Sequence, residues 1–265
     1  MQKLRLFLFY LRQLPFFRSL FLTISSRQVT FKISIFGHNF YGHSNTSDIF
    51  TINANFPGWF RSRILNFEGT WRMPNGLDPM TFKTVIDLGA NIGATALKFA
   101  NASPMAEVFA VEPFERNFQL LKLNTSHTSR IKIFEEAIGN LNATVSMRSN
   151  ADHRAQWAAS VNLLAPGDVS QETFLDFLMK NGIQHVDFLK INVEGSEGRI
   201  FESFKDWAQK VDVIAVVIRT SQDQDSFAKV VSQLMKYKPV GENAYTLHDN
   251  RVLWVYRRES VSGTS

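Results

Sequence analysis

Carboxylates, glycines, one lysine and one amide cluster where apolar runs of this chain end, and their spacing suits nucleoside binding and proton handling. Asp87-Leu88-Gly89-Ala90-Asn91-Ile92-Gly93 sets glycines two and six residues after an acid. Glycines so placed let the backbone turn tightly and let a ligand approach it closely. The string is not a phosphate loop, since no Gly-Lys-Ser/Thr follows, and it lacks the G-x-G-x-x-G of a dinucleotide fold. Glu112 follows Gly93 by 19 residues, about one helix and one strand. Two readings stand for it. A carboxylate there can accept hydrogen bonds from both hydroxyls of a ribose, or it can cap a helix that opens at Pro113. Glu136 and Ala137 close a further apolar run, where a carboxylate or a backbone amide would meet an adenine edge.

Lys190-Ile191-Asn192-Val193-Glu194-Gly195-Ser196-Glu197 is the richest string. A lysine on a buried strand is costly unless its charge is paired. Strand alternation aims Lys190, Asn192 and Glu194 toward one side, where polar groups would converge on a reacting centre. The competing reading is a solvated strand end that caps the next helix through Glu194 or Ser196. His153 and Trp157 fall in the irregular stretch 148–168, which reads as an acceptor-facing lid.

The elements that must position these residues follow from hydrophobic period. VIDLG (Val85–Gly89), EVFAV (Glu107–Val111), IKIFEEAIG (Ile131–Gly139), VDFLKINV (Val186–Val193) and VDVIAVVI (Val211–Ile218) read as strands. Between and after them Gly93–Asn101, Phe114–Asn124, Glu172–Asn181, Glu197–Trp207 and Phe227–Tyr237 read as helices. Asn243–Leu247 and Val252–Tyr256 flank His248-Asp249-Asn250 as a hairpin, and Thr144–Met147 is a small extra strand. Near-continuous apolar strands alternating with helices imply an α/β, doubly wound, seven-stranded sheet ending in a β-hairpin, its last strand antiparallel. In such a sheet the ligand lies beyond the carboxyl ends of the strands.

Ahead of this body, Val29–Phe36 alternates as a strand, Tyr41–Asn55 reads as loop with at most one short strand, and Trp59–Phe67 has helical spacing. The organisation expected is residues 1–83 as a basic arm and helical/strand extension, 84–258 as the catalytic-type domain, and 259–265 as a disordered tail.

Composition excludes several classes. The chain of 265 residues is 45% hydrophobic and has no Cys, so disulfides, thiolate nucleophiles and Cys-bound zinc are ruled out. Its six His residues form no H-x-x-x-H pair, and no structural metal is expected. The net charge of +5 resides in the arm, because Lys3, Arg5, Arg12, Arg18 and Arg27 precede the first acid, Asp48. The other 24 basic residues balance 24 acidic ones, which argues against a nucleic-acid partner. Residues 1–27 are apolar but broken by Arg5, Arg12, Pro15 and Arg18, short of the roughly 18–20 residues of a membrane span. The arm reads either as an interfacial helix drawn to anionic lipid or as a helix packed on the body. A cytoplasmic location, with peripheral membrane contact through the arm, is the expectation.

Taken in order, DLGANIG, AVEP, LLKLN, EEAIGN, Thr173-Phe174-Leu175-Asp176 and KINVEGSE resemble the FkbM-type S-adenosylmethionine-dependent methyltransferases over Thr84 to Trp207. The resemblance implies the Rossmann-like class I methyltransferase fold, S-adenosyl-L-methionine as cofactor, and O-methylation of a sugar, glycan or other small-molecule hydroxyl. It implies that Asp87, Gly89, Ala90, Asn91 and Gly93 surround the methionine and ribose portion. Glu112 would hold the ribose hydroxyls, and Glu136 with Ala137 would lie beside the adenine. Lys190, Asn192 and Glu194 would line the catalytic end. Two departures stand out. The family pattern K-x-D-x-E-G has Asn192 at its Asp, and Val216–Arg219 lacks the Glu and His often found at the fifth strand end. A neutral amide cannot serve as base at pH 7, so a cofactor-binding module without turnover is the alternative.

Overall fold

The structure, a computed structural model, describes residues 28–44, 46–56, 77–148, 160–162, 167, 169–193, 196–219, 238–247 and 251–257. The arm, the segment Trp59–Phe67, the helix expected at Phe227–Tyr237, residues His153, Trp157 and Glu194, and the tail 259–265 lie outside them.

The described chain opens with β1 (Thr30–Ile35) and β2 (His38–His43), an antiparallel hairpin, and α1 (Asp48–Asn55). The reading of Tyr41–Asn55 as loop is corrected here. The polar residues that suggested a loop fold inward instead: Ser44, Thr46, Ser47 and Asp48 are all buried, Thr46 and Asp48 bond within the turn that starts α1, and the Ser44 hydroxyl accepts from the Val29 amide. Then come β3 (Thr84–Leu88), α2 (Ala94–Ala102), β4 (Glu107–Val111), α3 (Glu115–Thr125) and β5 (Ile131–Phe134).

The strand expected to run from Ile131 to Gly139 breaks at Glu135-Glu136. Its second half, β6 (Ala137–Gly139), leaves the main sheet and pairs in parallel with a strand of a smaller one. That smaller sheet comprises β6, β7 (Ala143–Arg148), β8 (Ser160–Asn162) and β9 (Val169–Thr173), in the order β6-β9-β7-β8. The helix expected from Glu172 begins at Phe174 as α4 (Phe174–Lys180), because the Thr173 hydroxyl accepts from the Asp176 amide and caps it. Next are β10 (Val186–Ile191), α5 (Glu197–Ile200) and α6 (Phe204–Trp207), which a 3₁₀ turn at Phe201–Ser203 separates where one continuous helix was expected. β11 (Val211–Arg219), β12 (Lys238–Leu247) and β13 (Arg251–Arg257) complete the main sheet.

The seven strands lie in the order β12-β13-β11-β10-β3-β4-β5. β5, β4, β3, β10 and β11 run in parallel, and β13 slots antiparallel between β11 and β12. Alternation along each strand feeds two cores. On one face Val85, Val108, Ala110, Phe188 and Val213 meet Leu97 and Phe99 of α2, Leu120 and Leu121 of α3, and Phe31, Phe40 and Ile52 of the N-terminal hairpin and helix. On the other face Ile86, Phe109, Leu189, Ile214 and Val216 meet Phe174 and Phe177 of α4, and Phe201 and Trp207. Each phenylalanine or tryptophan so buried is worth about 1.5–3 kcal/mol of transfer free energy. Among the described residues no helix is long and apolar enough to cross a membrane.

Candidate functional site

The reversal between β3 and α2 is the centre of the site. Gly89 adopts φ 78° and Gly93 φ 87°, both in the left-handed region. A Cβ on Gly89 would collide with the Asn192 carbonyl oxygen, and one on Gly93 would lie 2.9 Å from Leu121 Cδ1. Conformation demands glycine at both positions, and at Gly89 the Asn192 backbone demands it as well. Asn91, at φ 52°, is a non-glycine residue in the same region, which asparagine tolerates better than most. The Gly89 and Ala90 amides both donate to the Val111 carbonyl at 3.0 Å, and the Gly93 amide donates to the Ala90 carbonyl.

Glu112 ends beside this turn, and its contacts are those of the helix-capping reading together with an anchor on the turn itself. Its Oε2 accepts from the Asn91 amide at 2.8 Å, and its Oε1 accepts from the Phe114 amide at 3.1 Å and from Asn117 Nδ2 at 3.4 Å. One carboxylate thus anchors the turn and caps the start of α3. Burial pushes its carboxyl up to about 7, against the lowering effect of these hydrogen bonds.

Lys190 stands opposite Asp87 in the parallel register of β10 and β3. The two side chains are buried, and Nζ donates to Asp87 Oδ1 at 2.5 Å and to the Gly89 carbonyl at 2.9 Å. The charge that looked costly is paired. The Asn192 amide donates to the Leu88 carbonyl at 3.0 Å, so its backbone runs directly against Gly89. Lys190 and Asn192 are brought to the turn.

Glu136 and Ala137 sit where the main sheet gives way to the smaller one, and both are buried. Glu136 Oε2 accepts from Lys180 Nζ at 2.9 Å, and the same ammonium donates to Glu172 at 3.0 Å. Burial and the adjoining Glu136 carboxyl raise Glu172. This two-acid, one-lysine group is a feature that sequence reading missed, because β6 and β9 approach only through the small sheet. Asn117 and Asn124 were missed as well. Their signal was available: two amides seven residues apart share one face of a helix with Leu120, Leu121 and Thr125.

Three buried oxygens around the turn and the adjoining strand end, Asp87 Oδ2, Asn91 Oδ1 and Glu136 Oε1, accept no hydrogen bond among the described residues. Buried acceptors of this kind are costly unless a donor meets them. A ligand carrying an ammonium, sugar hydroxyls and an exocyclic amine suits that set. Away from the turn, at the N-terminal ends of β10 and β11, His185 Nε2 lies 3.0 Å from Asp212 Oδ2 and 3.7 Å from Asp187 Oδ1. Among the described residues these three side chains are the donors close enough to share a cation.

A doubly wound sheet of this strand order, with a glycine turn after β3 and an acid after β4, defines a Rossmann-like methyltransferase fold. The chain belongs to the FkbM methyltransferase family: the model of the methyltransferase FkbM domain matches residues 87–246. The 2-O-methyltransferase NoeI of Sinorhizobium fredii is 26% identical over 147 residues, 49% of this chain and 60% of that protein. The chain thus spans about three fifths of that curated relative's length. Among solved structures, the Aeropyrum pernix fibrillarin with bound S-adenosyl-L-methionine is 13% identical over 89% of this chain and 86% of its own, with a TM-score of 0.45. A putative rRNA methylase of Clostridium thermocellum is 11% identical over 67% of this chain and 87% of its own, with a TM-score of 0.44. S-adenosylmethionine is the cofactor of the family, and the donor-hungry oxygens at the turn fit it.

Proposed function

We propose that this chain is an S-adenosylmethionine-dependent methyltransferase acting on the hydroxyl of a small molecule or glycan. The observation that carries the reading is the turn 89–93, fixed from one side by Glu112 and from the other by Lys190, with Asp87 Oδ2 and Asn91 Oδ1 left as acceptors. When bound, the cofactor supplies a sulfonium methyl that forms a C–O bond as its C–S bond breaks, while the acceptor loses its hydroxyl proton. The protein's part is placement, and placement alone accounts for much of such an acceleration.

Asp87 Oδ2 is assigned the methionine ammonium, Glu112 the ribose hydroxyls, and Glu136 with Ala137 the adenine edge. Lys190 is assigned to holding Asp87 and the Gly89 carbonyl in place, since its ammonium is spent on them. Asn192, half-buried at the end of β10, is assigned to orienting the acceptor hydroxyl as donor and acceptor. Glu194 remains the candidate to take the proton. The choice of a hydroxyl acceptor is supported by the relative's description as a 2-O-methyltransferase.

The second reading is a cofactor-binding module without turnover, favoured by the amide at Asn192 where the family pattern has an acid. One experiment separates the two. S-adenosylhomocysteine production is measured against a panel of sugars and glycans for the wild type and for Asn192→Asp. Turnover that appears or rises in Asn192→Asp is expected. Silence from both proteins, with the cofactor still bound, selects the module.

A further inference from the structure

We infer that residues 28–56, which precede the matched family domain, belong to the cofactor site and act on it through Asn124 as a positioning residue; this rests on the reading that the turn 89–93 holds the cofactor.

Asn124 lies on α3 and is completely buried. Its Nδ2 donates to the Ile92 carbonyl, inside the turn, at 2.8 Å. The same Nδ2 donates to the Tyr41 carbonyl of β2 at 3.0 Å, and Oδ1 accepts from the Tyr41 amide at 2.6 Å. One amide therefore clamps a strand of the N-terminal hairpin to the backbone of the turn. The other anchors of the turn come from its own sheet or from Glu112. The anchor at Ile92 is the one shared with the hairpin.

Two more tethers run the same way. Arg116, next to the start of α3, makes a fork with Asp48 of α1, at 2.6 and 3.0 Å. Its Nη2 also meets His43 Nδ1 at 3.0 Å, and its Nη1 donates to Asn117 Oδ1 at 2.7 Å. Asn117 in turn reaches Glu112. Burial pushes the Asp48 carboxyl up, but hydrogen bonds from His43 and the Arg116 charge outweigh it and hold it below the usual carboxylate range. On α2, the Thr95 hydroxyl donates to Asn55 Oδ1 at 3.1 Å. The hairpin and α1 thus grip the turn, the helix behind it and the helix that Glu112 caps. Apolar contact accompanies the grip, since Phe31, Phe40 and Ile52 share one core with Leu121 and Ile92. A segment that served only as packing would not need three polar links, one on the turn and one on each helix beside it, each of which is costly to leave unmade.

The test titrates the full chain with S-adenosylhomocysteine by calorimetry and follows amide hydrogen exchange over 89–93. Asn124→Asp keeps the acceptor for the Tyr41 amide but replaces both donations, to Ile92 and Tyr41, by repulsion between oxygens. Its Kd should rise by about tenfold and exchange at Ile92 and Gly93 should accelerate. Arg116→Lys keeps the charge facing Asp48 but loses the fork on Asp48 and the donation to Asn117, and it decides the matter if Asn124→Asp does not fold; its Kd should rise by about threefold. Glu112→Ala is the control for the site itself. A Kd within twofold of wild type in the folded variant, while Glu112→Ala weakens binding, overturns the inference and spares the site. An unchanged Kd in Glu112→Ala as well overturns both.

Discussion

Asp87 and Lys190 face each other across β3 and β10, and their side chains meet at 2.5 Å directly behind the turn that Gly89 opens. The pair is buried on both sides, at 0% and 2% side-chain exposure. Lys190 also holds the Gly89 carbonyl, so one ammonium ties β3, the turn and the strand leading to Asn192 into a unit.

Breaking that pair strands a buried charge. Lys190→Met should destabilise the fold by about 3–5 kcal/mol. Adding Asp87→Asn to Lys190→Met should recover part of the loss, because the remaining partner is then neutral. Urea unfolding of the single and double variants checks this, and a single variant within about 1 kcal/mol of wild type contradicts it.

Glu112, in the ribose-holding role proposed for it, makes cofactor binding depend on pH. Its carboxyl is raised from 4.5 to about 7 in the folded chain. Stability from this group is fully present below the unfolded value and is lost as pH rises through about 7, a span worth about 3 kcal/mol. Ribose hydroxyls donate to the ionised form, so affinity should climb with pH to about 7 and then level, with proton release on binding below that point. Glu112→Gln should flatten the profile. Calorimetry at pH 6, 7 and 8 in buffers of different ionisation heat reads both effects.

Two left-handed glycines separate backbone strain from crowding. Gly182, at φ 65°, has open space where a Cβ would go, and Gly182→Ala should cost about 1–2 kcal/mol. Gly89→Ala adds a collision with the Asn192 carbonyl and should cost more than that and abolish cofactor binding as well. Thermal unfolding with a ligand titration distinguishes them; equal costs would mean that the Asn192 backbone moves aside freely.

The stacked rings of His38 and His127, 3.9 Å between centroids, fasten the hairpin to the end of α3. Burial, with the neighbouring His38 charge, lowers His127 below its ordinary 6.5. A lowered group supplies stability that is present above the unfolded value and is lost as pH falls through the folded one. The melting temperature should therefore fall as the solution is acidified below about 6.5, and His127→Phe should weaken that dependence. Melts from pH 7.5 to 5 measure it, and parallel curves would leave the stack without a role.

Sequence alone determined the parallel sheet and the places where chemistry would sit, because both are local. The apolar runs at Val85–Leu88, Glu107–Val111 and Val186–Ile191 could be nothing but buried strands between helices, and the glycines after Asp87 announce a tight turn by their own backbone freedom. The glycine turn, Glu112, Lys190 and Asn192 were legible for that reason. Long-range pairing decided the rest. Spacing left Glu112 between a ribose acceptor and a helix cap, and it could not show the anchor that the fold adds by bringing Asn91 and Phe114 to opposite oxygens. Lys190 found its partner 103 residues away, which only the register of β10 on β3 could supply. The stretch 41–55 looked like loop because its polar residues are turn formers when taken alone. Arg116 and Asn124, on a helix far along the chain, pair with the Asp48 carboxylate and the Tyr41 backbone and make that stretch part of the core. A buried polar residue is stable only with its partner present, and that partner is chosen by tertiary structure.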